Sequence, residues 1–161
     1  MSGGAPPLIR VRPVQADDGD LLLAWANDPL TRAAGFHRRP IEPAEHRAWL
    51  AERLGSAATR LFVGLAGEEP IGQVRLELDE DGSAEVSIAV APEARGRGVG
   101  RLLLEAGLDA VRADPSFAGA VFVARVRPEN QASLRLFGGA GFREVERTLV
   151  DGQACVVLSR P

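Results

Sequence analysis

A run of arginine and glycine residues is the part of this chain best suited to bind a charged ligand. It reads R-G-R-G-V-G-R over residues 95–101. The apolar residues before it alternate as in a strand, and those after it recur every three or four residues, as in a helix. A helix start exposes unpaired backbone N–H groups and partial positive charge, and glycine lets an anion approach the backbone closely. The segment is therefore predicted to bind phosphate, with added charge from Arg95, Arg97 and Arg101.

The spacing of the glycines distinguishes three kinds of phosphate-binding loop. A nucleoside-triphosphate loop needs Lys and then Ser or Thr after its last glycine, but Arg101-Leu102 stands here. A dinucleotide loop needs G-x-G-x-x-G, whereas the spacing here is G-x-G-x-G. The pattern R-x-x-G-x-G over residues 95–100, directly after a strand that ends in V-A-P, resembles the acetyl-CoA signature of the GNAT acyltransferase superfamily.

A second segment, residues 127–145, resembles the next motif of the same superfamily, in which an Asn opens a helix that closes in Gly-Phe. The Asn here is Asn130, and the ending is Gly141-Phe142. Because the two motifs occur in the expected order, the chain is identified as a member of the superfamily more securely than either motif alone would allow.

This resemblance implies a fold, a co-substrate and a reaction. The fold is of the α/β (α+β) class, a mixed and mostly antiparallel sheet of six or seven strands flanked by about four helices. The co-substrate is acetyl-CoA, with no metal, and the acetyl group passes to a primary amine by direct attack in a ternary complex. The residues implied for the cofactor are Ile88, Ala89, Val90, Arg95, Gly96, Arg97, Gly98, Val99, Gly100, Arg101, Asn130, Ser133 and Phe137.

The periodicity of apolar residues places these motifs on elements of one domain, residues 1–161, in which residues 1–7 are expected to form a frayed tail. Strands are predicted at residues 8–14, 60–66, 71–79, 84–91, 120–126, 142–149 and 153–159. Helices are predicted after Asp17 or Asp18, from Pro43, over 98–113 and over 130–139, with a short helical turn at 31–36. The short links predict that the second, third and fourth strands pair antiparallel, whereas the strand–helix–strand step predicts parallel pairing of the fourth and fifth.

The composition excludes several classes of partner. The net charge of −3 argues against nucleic acid, and no apolar run approaches the length of a membrane span. The single cysteine, Cys155, predicts no internal disulfide and is consistent with a reducing cytoplasm. A small-molecule amine is therefore the expected partner, with a homodimer left open.

Acetyl transfer to an amine requires removal of a proton, because an alkylammonium has a pKa near about 10. Glu85 is the first candidate for the base, since family members often carry an acid at that position, and Glu77 on the neighbouring strand is the alternative. Either carboxylate could instead be a solvated strand residue. The resemblance also implies an oxyanion site at the backbone N–H groups near Ala89 and Val90, where the strand of the family bulges. Asn130 could bind the pantetheine arm or cap its helix.

The sequence departs from the family where many members carry a tyrosine that protonates the leaving thiolate. Phe137 stands there, and the chain has no tyrosine. Because a thiol with a pKa near about 8.5 is a tolerable leaving group, water, Ser133 or Ser87 could replace the tyrosine. The alternative is a non-catalytic acyl-CoA sensor.

The N-terminal third carries a further resemblance. The stretches W-A-N-D-P-L-T-R-A-A-G-F from Trp25 and P-I-E-P-A-E-H-R-A-W-L from Pro40 are similar to acetyltransferases that act on nucleotide-linked amino sugars. A protein N-terminus, a polyamine or an antibiotic amine remains an alternative acceptor. His46 could instead be a packed core histidine. His37 lies in a predicted basic loop with Arg32, Arg38 and Arg39, which could meet an anionic acceptor such as a sugar nucleotide or be a solvated surface loop. The residues expected to line the acceptor site are Asn27, Arg32, Phe36, His37, His46, Trp49 and Glu77.

Overall fold

The computed structural model describes residues 8–161, so the tail expected at residues 1–7 lies outside the described residues. These residues form one seven-stranded sheet with five α-helices and three short 3-10 turns. The strands are β1 (Ile9–Pro13), β2 (Thr59–Ala66), β3 (Glu69–Leu78), β4 (Ala84–Val90), β5 (Phe122–Val126), β6 (Arg143–Val150) and β7 (Gln153–Arg160). The helices are α1 (Gly19–Ala26), α2 (Pro29–Ala34), α3 (Pro43–Leu54), α4 (Val99–Arg112) and α5 (Gln131–Gly139).

The sheet has the order β1-β2-β3-β4-β5-β7-β6, and its pairing confirms the predicted directions. β2, β3 and β4 pair antiparallel, and β4 and β5 pair parallel. The β4–β5 ladder contains only the pairs Ala84↔Phe122 and Glu85↔Val123. Beyond Glu85 the two strands diverge, so the rest of β4 has an open backbone edge on its β5 side.

Helix α4 packs on the sheet through an apolar stripe in which Leu103, Leu104 and Leu108 are fully buried. Two glycines allow this close approach. A Cβ added at Gly107 would lie 2.8 Å from a methyl of Val74, and one added at Gly64 would lie 2.3 Å from a methyl of Leu103. This packing fixes the N-terminus of α4 at the end of β4, where the arginine–glycine segment joins them.

Helix α2 begins earlier than the sequence predicted. We expected a helical turn only from residue 31, but Pro29 is the first helical residue. The Asp28 carboxylate caps the helix by accepting a hydrogen bond from the Thr31 N–H at 3.1 Å. Proline suits this first position because its missing N–H would have no helical partner there.

Candidate active site

The divergence of β4 and β5 opens a cleft with a volume of about 1790 Å³. We call one side of it the cofactor cradle, formed by residues 95–101, the end of β4 and the start of α5. The other side, the acceptor end, is formed by α2 and the loop after it, α3, and the exposed faces of β3 to β5. A cleft of this size exceeds the roughly 300–1,000 Å³ of a typical single-ligand pocket, so it has room for two substrates.

The cofactor cradle is shaped by backbone conformation. Gly96 and Gly98 adopt left-handed φ angles of 76° and 72°, and a Cβ added to either would meet no atom within 4 Å. Gly98 stands at the N-cap of α4 without a side-chain cap, so the first N–H groups of the helix have no side chain bonded to them. These groups and the helix dipole can therefore hold an anion in the space beside the glycines.

The three arginines of the cradle have different environments. Arg95 lines the cleft and donates to Asp28 at 2.5 Å and to the Thr31 hydroxyl at 3.1 Å, which joins the cradle to α2. Arg97 lies outside the cleft lining, because both its terminal nitrogens pair with the Glu69 carboxylate at 3.2 Å. This pairing raises the pKa of Arg97 and lowers that of Glu69. Arg101 lines the cleft and has no ion-pair partner within residues 8–161.

The opposite wall of the cradle comes from the start of α5. Asn130 caps this helix, because its side chain accepts a hydrogen bond from the Ser133 N–H at 3.2 Å. Asn130, Ser133 and Phe137 all line the cleft. The ring of Phe137 is 3% exposed and packs edge-on against Phe142 with centroids 5.1 Å apart. The capping role is thus observed, and binding of the pantetheine arm by Asn130 stays a prediction.

The open edge of β4 lies between the two ends of the cleft. Ala84 N–H donates to Val121 O on the β5 side, whereas Ala91 N–H donates to Ile71 O on the β3 side. Since N–H groups alternate in direction along a strand, those of Ile88 and Val90 face the gap and that of Ala89 faces β3. The β3–β4 register is also continuous from Gly72↔Val90 to Leu78↔Ala84, without the bulge expected there. The N–H of Val90 therefore has the direction that the predicted oxyanion site requires. The N–H of Ala89 does not, and the second N–H that faces the gap is that of Ile88.

The two candidate bases have different positions. Glu85 lines the cleft, and its carboxylate pairs with Arg125 at 3.0 Å. Glu77 lies outside the cleft lining, between Arg53 at 3.3 Å and Arg75 at 3.1 Å. Glu77 thus pairs with two arginines outside the cleft lining, and of these two candidates Glu85 is the one that an acceptor in the cleft can reach.

Trp49 lines the acceptor end. The guanidinium groups of Arg53 and Arg75 both lie over its ring, with their central carbons 5.8 and 5.4 Å from the ring centroid. His46 lies on the same face of α3, with its ring centroid 5.4 Å from that of Trp49. Burial lowers the pKa of His46, so its imidazole is held neutral at neutral pH. The packed histidine anticipated as the alternative for His46 is therefore what the structure contains, at the cleft wall.

Helix α2 and the loop after it form the outer wall of the acceptor end. Arg32, Phe36 and His37 line the cleft as predicted. Asn27 does not, because both ends of its amide bind the backbone of Ile41, at 2.9 and 2.8 Å. His37 is exposed and lies 3.4 Å from Asp151 at the β6–β7 turn.

This wall is fastened across the cleft to β5 and to the β6–β7 hairpin. Arg127 donates to Ala33 O at 2.7 Å, and the Gln153 side chain donates to Phe36 O at 2.7 Å. Together with the Arg95–Asp28 pair, these bonds attach the wall to both sides of the gap between β4 and β5.

Comparison with known proteins decides the family. The model of the acetyltransferase (GNAT) domain matches residues 9–143. The chain belongs to the GNAT acetyltransferase family. A phosphinothricin N-acetyltransferase of Streptomyces coelicolor is 33% identical over 120 residues, which cover 68% of this chain and 67% of the relative. The N-alpha-acetyltransferase RimI of Mycobacterium tuberculosis is 33% identical over 120 residues, 74% of this chain and 65% of the relative.

Solved GNAT structures share the fold. An aminoglycoside acetyltransferase in complex with coenzyme A superposes with a TM-score of 0.81 at 17% identity, over 94% of each chain. A spermidine N-acetyltransferase of Vibrio cholerae, in complex with coenzyme A and spermine, gives a TM-score of 0.77 at 24% identity over 94% of this chain and 93% of that chain. As a GNAT acetyltransferase the chain uses acetyl-CoA, and the cradle fits it, since glycines, helix N–H groups and Arg101 present only donors and positive charge to a diphosphate.

The arginines that line the acceptor end but were not predicted to do so include two on strands, Arg75 and Arg125. Each is a single charge between apolar neighbours in a strand, and alternation therefore places it on the opposite side of the pleat from the core. That signal does not say whether the opposite side faces solvent or a cleft. Among residues 8–161, no helix is long and apolar enough to cross a membrane, and no three His, Cys, Asp or Glu side chains cluster as metal ligands.

Proposed function

We propose that this GNAT enzyme transfers the acetyl group of acetyl-CoA to the primary amine of a small molecule, by direct attack in a ternary complex. One observation carries the proposal: a single cleft joins the cofactor cradle to the acceptor end across the open edge of β4. Bound acetyl-CoA supplies the acetyl carbonyl and a thiolate leaving group. The two reactants would meet at Ile88 and Val90, whose N–H groups face the gap and are suited to stabilise negative charge on the carbonyl oxygen.

Glu85 is the residue we propose for removal of the amine proton, directly or through one water. It is the carboxylate of β4 that lines the cleft, and it precedes the N–H groups of Ile88 and Val90 on the same strand. Its partner Arg125 fixes the carboxylate at the acceptor side of the gap. Ser133 is the side-chain hydroxyl of the α5 wall that can donate a proton to the departing thiolate, because Phe137 has none.

The acceptor proposed from the sequence is a nucleotide-linked amino sugar. Its support is the stretch from Trp25 to Phe36, which carries the resemblance and builds α2 and the outer wall of the acceptor end. The names of the relatives suggest other acceptors: phosphinothricin, spermine and an aminoglycoside. All are amines, so the reaction is shared and only the acceptor differs.

The test measures thiol release from acetyl-CoA with a panel of amines: a UDP-linked 4-amino sugar, phosphinothricin, spermidine, kanamycin and a peptide with a free N-terminus. We expect release with at least one small molecule and product mass increased by one acetyl group. Binding of acetyl-CoA without release with any amine would reject the proposed function and favour the acyl-CoA sensor, for which Phe137 is the supporting residue. Turnover of the peptide alone would reject a small-molecule acceptor.

A further inference from the structure

From the charges of the acceptor end we infer that the acceptor amine carries an anionic group, such as a phosphate or carboxylate, which these arginines bind. The inference rests on the proposed function and narrows its substrate class. The residues that line the cleft include ten arginines but only two carboxylates, Glu45 and Glu85. The whole chain has a net charge of −3, so this positive charge is concentrated in the cleft.

Coenzyme A, itself an anion, accounts for the arginines of the cofactor cradle and α5 but not for the others. Seven of the ten lie at the acceptor end, on α2, the loop after it, α3, β3 and β5 or its end: Arg32, Arg38, Arg39, Arg53, Arg75, Arg125 and Arg127. An acceptor that is itself a polycation would have to enter against this charge. An anionic acceptor would be attracted to it, as in other clefts lined by charge of one sign.

Carboxylates pair with five of these seven arginines and leave two without an acidic partner among residues 8–161, Arg32 and Arg38. Glu77 is shared by Arg53 and Arg75, and Arg53 also pairs with Glu52 at 3.3 Å. Arg32 pairs with no carboxylate within residues 8–161; one terminal nitrogen donates to the carbonyl of Arg39 at 3.2 Å, and its Nε is buried without a hydrogen-bond partner. A buried donor on a charged group that has no partner costs free energy, and an anionic ligand would supply that partner.

The position of Arg75 explains how the amine and the anion of one molecule can be bound together. Arg75 on β3 lies opposite Ser87 on β4, and Glu77 lies opposite Glu85, so Arg75 and Glu85 are diagonal neighbours on one face of the sheet. Diagonal neighbours are roughly 7–8 Å apart, the scale of a small amino acid or amino phosphate. Stacking on Trp49 holds the Arg75 guanidinium in place. Burial lowers the pKa of Arg75 because the charged form loses solvation, and a bound anion would offset that loss.

The experiment uses pairs of amines that differ in one anionic group, titrated by calorimetry into the full-length protein saturated with CoA, so that no turnover occurs. The pairs are ethanolamine with O-phosphoethanolamine, and a free 4-amino sugar with its UDP-linked form. We expect the anionic member to bind at least about tenfold more tightly and to lose affinity as salt is raised. Preference in the first pair assigns a compact phosphate, and preference only in the second assigns a nucleotide diphosphate.

The variant Arg32→Gln should lower affinity for the preferred anionic amine by about tenfold and leave its neutral partner unchanged, and Arg32→Lys should recover part of the loss. Arg147→Gln is the matched control, because Arg147 pairs with Glu144 on the β6 edge, outside the cleft. Three results would overturn the inference. They are equal affinity for both members of both pairs, no binding of any member, and tighter binding of spermidine than of the anionic amines. If neutral amines gave thiol release and the anionic members were not preferred, the inference would fail and the proposed function would stand. If the anionic members were preferred but no amine gave thiol release, the proposed function would be rejected and the anion site supported.

Discussion

The cofactor cradle and the acceptor end are built in different ways. The cradle uses backbone N–H groups and two left-handed glycines from the seven consecutive residues 95–101. The acceptor end uses side chains from α2, α3, β3, β4 and β5. The two regions should therefore respond differently to substitution. A backbone cradle tolerates changes of side chain around it, whereas an acceptor end made of side chains changes its specificity with each substitution.

The largest effect that the comparison predicts is at the acceptor end. Glu85→Gln removes the proposed proton acceptor but keeps a side chain of the same size, and we expect kcat to fall about a hundredfold or more, with a changed pH profile. Glu77→Gln should change kcat by less than about fivefold, because Glu77 lies outside the cleft lining and acts on Arg53 and Arg75. Steady-state kinetics from pH 6 to 9 compare the two variants. An unchanged rate and pH profile in Glu85→Gln, or a larger loss in Glu77→Gln, would remove Glu85 as the base.

The second prediction concerns the backbone of the cradle. In Gly98→Val the new side chain occupies space that is open in the protein and that we assign to the diphosphate, so CoA affinity should fall by about tenfold to a hundredfold. Gly82→Val is the matched control for strain, since Gly82 has a left-handed φ of 87° in the β3–β4 turn and equally open surroundings. Calorimetry with CoA and thermal unfolding of both variants separate lost binding from lost stability.

Arg97→Ala tests whether the cradle binds CoA through its backbone and not through this side chain. The Arg97 side chain pairs with Glu69 outside the cleft, so its removal should change CoA affinity by no more than about twofold. If Arg97→Ala weakened CoA binding as much as Gly98→Val, the cradle would depend on side chains as the acceptor end does, and the contrast between the two regions would be wrong.

The sequence predicted the local structure of the cradle well because its determinants are local. The strand before it, the helix after it and the positive φ angles of Gly96 and Gly98 all follow from residues next to one another in the chain. The α5 cap is local too, since Asn130 and Ser133 are three residues apart.

The acceptor end was predicted less completely because its contacts join distant segments. Asn27 was predicted to line the cleft, but the chain returns and presents the backbone of Ile41 to its amide. The same applies to one residue of the cradle, Arg97, which was predicted to bind phosphate but pairs with Glu69 of β3. Arg75 faces the cleft only because β4 and β5 separate beyond Glu85. These arrangements depend on sheet register and on the approach of α3 to the sheet, which no short motif encodes.

The third prediction separates the two roles of Asn130, at the border of the cradle. Asn130→Ala removes the cap of α5 and should lower the free energy of unfolding by about 1 kcal/mol, whereas Asn130→Ser keeps a capping oxygen and should lower it by much less. If Asn130 also binds the pantetheine arm, both variants should raise the KM for acetyl-CoA severalfold. Urea unfolding measures the first effect and steady-state kinetics the second. A normal KM in Asn130→Ser would show that Asn130 only caps the helix.

The smallest expected effect is on the pH dependence of stability. The acceptor end contains a buried histidine, His46, whereas residues 95–101 contain no side chain that titrates near neutral pH. Burial lowers the pKa of His46, so the folded protein resists a proton that the unfolded chain accepts below about pH 6.5. Stability should therefore be fully present above that pH and fall as the pH drops through the range between the unfolded and folded pKa values.

His46→Gln cannot take up that proton, so its free energy of unfolding should decrease less between pH 7.5 and 5.5 than that of the wild type. Urea unfolding of the wild type and the variant at the two pH values gives the comparison, and carboxylates with lowered pKa, such as Asp28, contribute equally to both proteins. Equal slopes for wild type and His46→Gln would mean that the imidazole is not held neutral against Trp49, and that the acceptor end is more open to water than its packing indicates.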